Sequence, residues 1–289
     1  MPVVTVLKDD AESTKVRVEG QIYNFDNRTG FWSPWSLSDF VVGVSNVDNI
    51  SPVSDYMRAD VENTPVFQKR QILRFNPNIF TYSKLKFKFH IIHQIQPGEN
   101  GGTSYVWNSV VKDVESQTVL LERAVKLVTI DRTTRKAVEL PKWFRQKYHD
   151  PSPKMERLND LPDSFKTIFN PPDFPSDCYQ WRTTVRYSDL DFNMHTHQSV
   201  YTKFCLDAIT SAALKGKLRY FNRDICFYPL ESVDITFIGE SFAEDELLVN
   251  ILQDMCDQTI IRCLIENNRK PVTYLVLKLG LTTLSVSKL

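Results

Sequence analysis

The sequence lacks several features that would point at once to a particular class of protein. Lys+Arg and Asp+Glu both number 35 in a chain of 289 residues, so no excess charge indicates a nucleic-acid or membrane-surface partner. No apolar run approaches the ~20 residues that span a bilayer, and the first residues lack the basic and apolar blocks of a signal peptide. With 42% hydrophobic residues, the chain can build a substantial core in one large domain or two small ones.

Cysteine is scarce, and histidine occurs without metal-site spacing. The five cysteines form no CxxC pair, and Cys205, Cys256 and Cys263 lie in apolar patterns, which predicts buried free thiols in a reducing compartment. His195 and His197 have neither a cysteine pair nor a third histidine nearby, so we predict no metal and no cofactor. His90 and His93 fall on opposite faces of a predicted strand, where a structural role is expected.

Two similar halves are recognisable along the chain. In the first, apolar residues at 32–45 have roughly helical spacing, and strands are expected at 66–75, 85–91, 103–112 and 119–130. From Leu85 to Ile91 apolar residues alternate with basic ones, which predicts one buried face. In the second, the spacing predicts a helix over 199–215 with a buried stripe. Further strands are expected at 179–187, 224–228, 233–238, 247–253, 259–266 and 272–281. Because a helix followed by a run of strands occurs in both halves, the pattern favours an α+β fold.

The halves are joined by a proline-rich segment. Residues 141–176 hold seven of the fifteen prolines, a density that disfavours regular elements and predicts a surface linker, with a short helix allowed only in its interior at 154–169. We therefore divide the chain into a first domain, 1–140, the linker, 141–176, and a second domain, 177–286, and set residues 287–289 apart.

The chemistry is concentrated in one stretch, RYSDLDFNMHTHQSVY, between a predicted strand and the predicted helix. Asp191, Asn193 and His195 alternate there and can supply a base or nucleophile, an orienting amide and a proton carrier. The helix start beyond them offers unpaired backbone N–H groups to a developing oxyanion. The alternative is an Asx-rich turn that caps the helix without any chemistry.

This stretch resembles the plant-type acyl-ACP thioesterases and, more loosely, the hotdog thioesterase superfamily, whose pattern is D-L-D-x-N-x-H-V-N-N-x-x-Y. The chain departs from the pattern at Thr196, His197 and Gln198, where the family has Val-Asn-Asn. It matches the pattern at Asp189, Leu190, Asp191, Asn193, His195 and Tyr201.

The resemblance implies a double hotdog, in which each of two units wraps a curled antiparallel sheet around a central helix. Around Asn24–Arg28 the first half has Asp and Asn but no His, so we expect it to be non-catalytic and to shape the acyl pocket. A family glutamate downstream matches Glu240, while Ser241 replaces the family cysteine, which argues against a Cys–His nucleophilic pair.

The implied activity is hydrolysis of an acyl-CoA or acyl-ACP thioester, with Asp191, Asn193, His195 and Glu240 as catalytic residues. Asp191 acts as nucleophile or as general base, and Asp189 is expected to cap the turn. The alternatives are an (R)-specific enoyl-CoA hydratase-like enzyme, whose Asp–His spacing is one residue wider, and a non-catalytic acyl-thioester binding protein. The length of the acyl chain and the formation of a homodimer stay open.

The last three residues, Ser287-Lys288-Leu289, read as the tripeptide that the peroxisomal import receptor recognises at a carboxyl terminus. We therefore expect peroxisomal localisation and the import receptor as a partner. Because peroxisomes handle acyl-CoA thioesters, this signal favours CoA over ACP as the carrier.

Overall fold

The computed structural model describes residues 3–10, 13–21, 26–45, 65–82, 86–97, 102–131, 133–134, 136–148, 165 and 171–284. The chain divides into two compact units. Unit 1 comprises residues 1–23, 40–76 and 83–168, and unit 2 comprises residues 24–39, 77–82 and 169–289. The division assigns two segments of the first half of the chain, 24–39 and 77–82, to the same unit as the second half.

Unit 1 contains an antiparallel sheet in the order β1-β2-β4-β5-β6-β3. Its core is aromatic: Phe40 of helix α1 makes edge contacts with the rings of Phe87 and Phe89 in β4, at centroid distances of 5.8 and 6.2 Å. The elements are β1 Val3–Asp9, β2 Thr14–Gly20, β3 Val66–Phe75, β4 Phe87–Pro97, β5 Ser104–Asp113, β6 Val119–Thr129 and the short helix α2 Lys142–Lys147. Helix α1, Pro34–Ser45, is divided: residues 40–45 belong to unit 1 and residues 34–39 to unit 2.

Unit 2 contains antiparallel strands in the order β8-β11-β10-β9-β7, and the long helix α3 packs against β7, β9 and β11. The elements are β7 Tyr179–Thr184, α3 Gln198–Leu214, β8 Leu230–Phe237, β9 Glu246–Gln253, β10 Ile260–Asn267 and β11 Lys270–Leu279. The α+β class with two hotdog units, expected from the sequence, is confirmed.

Helix α3 forms because its apolar residues recur at a spacing of three and four and so cover one face. Every residue of the predicted stripe is buried, and Gly216 takes the left-handed conformation (φ 67°) that ends many helices. The buried stripe consists of Tyr201, Phe204, Cys205, Ala208, Ile209 and Ala212.

Four local predictions are wrong. Residues 224–228 are not a strand but a 3₁₀ turn, Ile225–Phe227, which the Asp224 side chain caps by accepting a hydrogen bond from the Cys226 N–H. The strand predicted over 179–187 ends at Thr184, and a 3₁₀ turn, Tyr187–Asp189, follows. The linker includes helix α2, which forms because Pro141 stands just before the first helical residue, where its missing N–H costs nothing. Cys256 is exposed, because it lies in the turn between β9 and β10.

Parts of the remaining predictions lie outside the described residues. These parts are the interior of the linker, except for Phe165, and the terminal residues 287–289. Among the helices that the structure describes, none is long and apolar enough to cross a membrane.

Candidate functional site

Three of the four predicted catalytic residues, Asp191, Asn193 and His195, lie on one short loop between β7 and α3. The backbone first makes a 3₁₀ turn, Tyr187–Asp189, in which the buried Asp189 carboxylate accepts a hydrogen bond from the Arg186 N–H at 2.9 Å, as its predicted capping role requires. Leu190 and Thr196 then pair as an isolated antiparallel bridge, which closes the loop. The intervening residues are therefore held at both ends.

Asp191 organises the inside of this loop. Its Oδ1 accepts hydrogen bonds from the N–H groups of Asn193 at 2.8 Å and His195 at 3.3 Å, while its own N–H donates to the His195 carbonyl at 2.8 Å. Met194 adopts a left-handed conformation (φ 64°), which turns the chain between the two donors. The Asx turn that we considered as the alternative to catalysis is thus present, and it fixes the Asp191 carboxylate by one of its two oxygens.

His195 faces Glu240, which comes from the loop after β8. Nδ1 of the imidazole lies 3.5 Å from Oε1 of Glu240, and the two side chains are 26% and 32% exposed, so that both are partly open to solvent. The Phe242 ring stands edge-on to the imidazole at 5.1 Å between centroids. A carboxylate at Nδ1 favours the tautomer in which Nε2 is free to accept a proton, and this pairing suits a proton carrier.

A buried hydroxyl network ties the two loops together. Ser241 Oγ lies 2.7 Å from Thr196 Oγ1 and 2.9 Å from the Tyr201 hydroxyl, and the Ser241 carbonyl accepts from the Thr196 N–H at 2.8 Å. Ser241 is fully buried, and burial raises the pKa of the Tyr201 phenol, which keeps it a hydrogen-bond donor. Ser241, at the place of the family cysteine, therefore connects the Glu240 loop to the His195 loop.

Helix α3 begins directly after the loop. The N-cap residue is His197, whose N–H donates to the Asp189 carbonyl at 2.8 Å and whose carbonyl accepts from Val200 at 2.9 Å. Nδ1 of His197 lies 2.9 Å from Ser199 Oγ, and Ser199 Oγ donates to Asp39 Oδ2 at 2.9 Å. Of these groups, the sequence pattern points to Asp189 and His197 but not to Ser199 or Asp39.

A second loop of the same form precedes helix α1. Asp26 and Trp32 form an isolated antiparallel bridge, the Asn27 N–H donates to the Phe31 carbonyl at 2.8 Å, and Asn27 Oδ1 accepts from the Thr29 N–H at 2.8 Å. Gly30 occupies the left-handed position, with φ 84°.

Matching the two loops bond for bond places the equivalent of residues 191–195 at residues 27–31, whereas the sequence indicates a stretch around 24–28. Asn27, and not Asp26, takes the place of Asp191, while Thr29 and Phe31 take the places of Asn193 and His195. The carboxylate, the carboxamide and the imidazole are therefore all replaced in the first loop.

The surroundings of the histidines bear on whether the site could hold a metal ion. His93 is fully buried against Ser109 Oγ at 2.9 Å, and burial lowers its pKa to about 3, so it is a neutral core residue. His195 and His197 contact different carboxylates, Glu240 and Asp39. Within the described residues, no group of three or more His, Cys, Asp or Glu side chains has a geometry that could hold a metal ion.

The structure thus brings His195 and Glu240 together and links Asp191 to Asn193 and His195 through backbone N–H groups. The Asn193 side chain is exposed at the tip of the loop. Sequence reasoning missed Asp39, Ser199 and the hydroxyl network around Ser241. Thr196, Tyr201 and Ser241 each stand out in the sequence by a match to or a departure from the family pattern, but nothing in the sequence predicts that their hydroxyls meet.

Neither a sequence-family model nor a curated protein sequence matches the chain. The fold is nevertheless that of hotdog proteins, and solved structures match over nearly the whole chain. A protein described as an oleoyl thioesterase from Lactobacillus plantarum matches with a TM-score of 0.69 and 14% identity, covering 96% of this chain and 99% of that chain.

Two further solved structures are similar. The 12:0-ACP thioesterase from Umbellularia californica matches with a TM-score of 0.66 and 13% identity, covering 93% of this chain and 98% of that chain. An acyl-ACP thioesterase from Bacteroides thetaiotaomicron matches with a TM-score of 0.65 and 14% identity, over 93% and 98% of the two chains. Identities this low establish a shared fold, and the activity has to be argued from the site.

Proposed function

We propose that the protein hydrolyses an acyl thioester to a free acid and a thiol. The observation that carries the proposal is the loop in which Asp191 is held by its own backbone while His195 faces Glu240 at 3.5 Å. The overall likeness to solved structures described as thioesterases supports the same reaction. The loop that carries Asp191 and His195 directly precedes helix α3.

In the proposed reaction, the thioester carbonyl lies against the first turn of α3, where N–H groups without a partner in the helix polarise it. Asp191 either removes a proton from the attacking water or attacks the carbonyl carbon itself, in which case water then hydrolyses the acyl anhydride on Asp191 to release the acid. Asn193 orients the carboxylate or the water. His195, held by Glu240, delivers a proton to the departing thiolate. Water thus supplies the oxygen of the acid and the proton of the thiol.

A panel of substrates tests the proposal. Purified protein would be incubated with acyl-CoA and acyl-ACP thioesters of graded chain length and a thiol-trapping reagent, beside an enoyl-CoA followed for loss of its double bond. Thiol release that Asp191→Asn abolishes supports the hydrolase. Hydration of the enoyl-CoA, or tight binding without turnover, would instead support one of the alternatives.

We further propose that the acyl group is carried by CoA and that the protein takes part in lipid metabolism in the peroxisome. The support is the tripeptide Ser287-Lys288-Leu289, which is read only at a free carboxyl terminus. Removing Leu289 from a tagged protein should leave hydrolysis intact and release the protein from peroxisomes to the cytosol. Unchanged punctate localisation would contradict this part of the proposal without affecting the hydrolase.

A further inference from the structure

The carboxylate of Asp39 in helix α1 lies against the start of helix α3. Its Oδ2 accepts a hydrogen bond from Ser199 Oγ at 2.9 Å, and its Oδ1 lies 3.5 Å from His197 Nδ1. The triangle is closed by the 2.9 Å contact between His197 Nδ1 and Ser199 Oγ. All three residues belong to unit 2.

The hydrogen-bond chemistry of this triangle sets the tautomer of His197. A carboxylate can only accept, so the Ser199 hydroxyl donates to Asp39 and its oxygen is left to accept from the imidazole. A neutral His197 therefore carries its proton on Nδ1. The Ser199 N–H also approaches Nδ1, at 3.4 Å, and would need the other tautomer. We assign the tautomer from the contact with the Ser199 hydroxyl, because this contact is shorter by half an ångström and has the length of a normal hydrogen bond.

We propose that Asp39 is a positioning residue for the first turn of α3, acting through Ser199 and His197. The proposal rests on the proposed function, in which the N–H groups of this turn polarise the thioester carbonyl. A negative charge beside the amino-terminal end of a helix is also favourable toward the helix dipole. Asp39 thus keeps the N–H groups aimed where charge develops in the transition state, although it touches no substrate atom itself.

Kinetics separate positioning from binding. Asp39→Ala should lower kcat roughly 10-fold, less than the ~10²-fold that follows complete loss of an oxyanion donor, and leave KM within about 2-fold. His197→Ala should behave alike, whereas His197→Asn should retain most of the activity, because an asparagine amide can both donate to Ser199 and cap the helix. The matched control is Asp173→Ala, which removes an exposed carboxylate of the same unit.

Three kinetic results would overturn the proposal. The first is an Asp39→Ala variant that is no slower than Asp173→Ala. The second is a rise in KM with kcat unchanged, which would make Asp39 a substrate-binding residue. The third is a His197→Asn variant that is as slow as His197→Ala, because the imidazole would then be required for itself.

A spectroscopic test does not depend on turnover. In protein labelled with ¹⁵N-histidine, His197→Asn identifies the signals of His197, and at alkaline pH the wild type should show the Nδ1–H tautomer. Asp39→Ala and Ser199→Ala should shift this signature toward Nε2–H, and a wild type already in the Nε2–H form would refute the arrangement. A wild type that hydrolyses no thioester would overturn the proposed function, while the tautomer would still decide whether Asp39 holds the turn.

Discussion

The loops that precede α1 and α3 share a backbone hydrogen-bond pattern but carry different side chains. Each is closed by an isolated bridge, Asp26 to Trp32 and Leu190 to Thr196, and in each a side-chain oxygen accepts from the N–H two residues on at 2.8 Å. An amide at Asn27 satisfies this turn as well as the carboxylate of Asp191 does. The turn therefore explains the shape of the loop but does not explain why the second loop carries an aspartate followed by an asparagine and a histidine.

The loops also differ in what anchors them. The N–H at the closing bridge is held in both loops, Trp32 by the Phe80 carbonyl at 3.2 Å and Thr196 by the Ser241 carbonyl at 2.8 Å. Only the first loop is also held at its tip, where the Arg28 guanidinium binds Asp207 and Asp224. In the second, Phe192 stands at the position of Arg28 and is 88% exposed. The first loop is thus clamped at its tip, whereas the tip of the second is left open to solvent beside the candidate catalytic residues.

The largest expected effect comes from exchanging the amide and the carboxylate between the loops. Asp191→Asn keeps the turn and removes the charge, so hydrolysis should fall by at least ~10²-fold with little change in the midpoint of thermal unfolding. Asn27→Asp is the matched control, since it makes the reverse exchange in the same turn, and it should leave the rate unchanged. Near-normal turnover in folded Asp191→Asn would rule out the mechanism.

The second prediction concerns the imidazole that Phe31 replaces in the first loop. His195→Ala should slow turnover by ~10²-fold or more, and Glu240→Gln by a smaller factor, because glutamine can still hold the ring but not the charge. In the double variants His195→Ala with Glu240→Gln, or with Asp191→Asn, the loss should be much less than the product of the single losses. Multiplicative losses would mean that these residues act independently.

The third prediction tests the anchor of the second loop. Ser241→Ala removes the partner of two buried hydroxyls, Thr196 and Tyr201, and should lower the free energy of unfolding by ~2 kcal/mol. Turnover should fall with it, since Glu240 adjoins the lost anchor. Ser241→Cys introduces the residue of the family pattern and should lower the free energy of unfolding by less than Ser241→Ala does. The new thiol should not react with thiol reagents, because the position is fully buried. A cysteine variant with faster, alkylation-sensitive turnover would argue for a thiol mechanism.

The fourth prediction concerns the left-handed residues of the two turns. Gly30 has φ 84°, and no neighbouring atom lies within 4 Å of an added Cβ. Gly30→Ala therefore tests backbone strain alone. It should lower the free energy of unfolding by about 1 kcal/mol, measured by chemical denaturation. Met194→Gly should not destabilise, because Met194 already bears this strain at φ 64°. A loss of stability in Met194→Gly would show that its side chain contributes more than its backbone costs.

The smallest effect is expected at Asp26. Asp26→Asn should change hydrolysis by less than about 2-fold, because residue 26 pairs with Trp32 at the base of the first loop and no imidazole occupies that loop. Steady-state rates for this variant and Asp191→Asn, measured side by side, sharpen the contrast. A loss at Asp26 comparable to that at Asp191 would mean that both loops carry chemistry.

The sequence by itself determined the periodic elements and the position of the site in the chain. The tertiary structure decided which side chains contact the residues of the site. The stripe of α3 and the alternation of Phe87, Phe89 and Ile91 in β4 follow from side-chain spacing, which is local. The stretch from Asp191 to His195 is local too, whereas the strand predicted at 224–228 became a 3₁₀ turn because Asp224 caps it and binds Arg28, far away in the chain. The approach of Glu240 to His195, the burial of Ser241 and the arrival of Asp39 beside His197 join residues from separate elements. Such contacts depend on how the strands and helices pack, which no spacing within a single segment encodes.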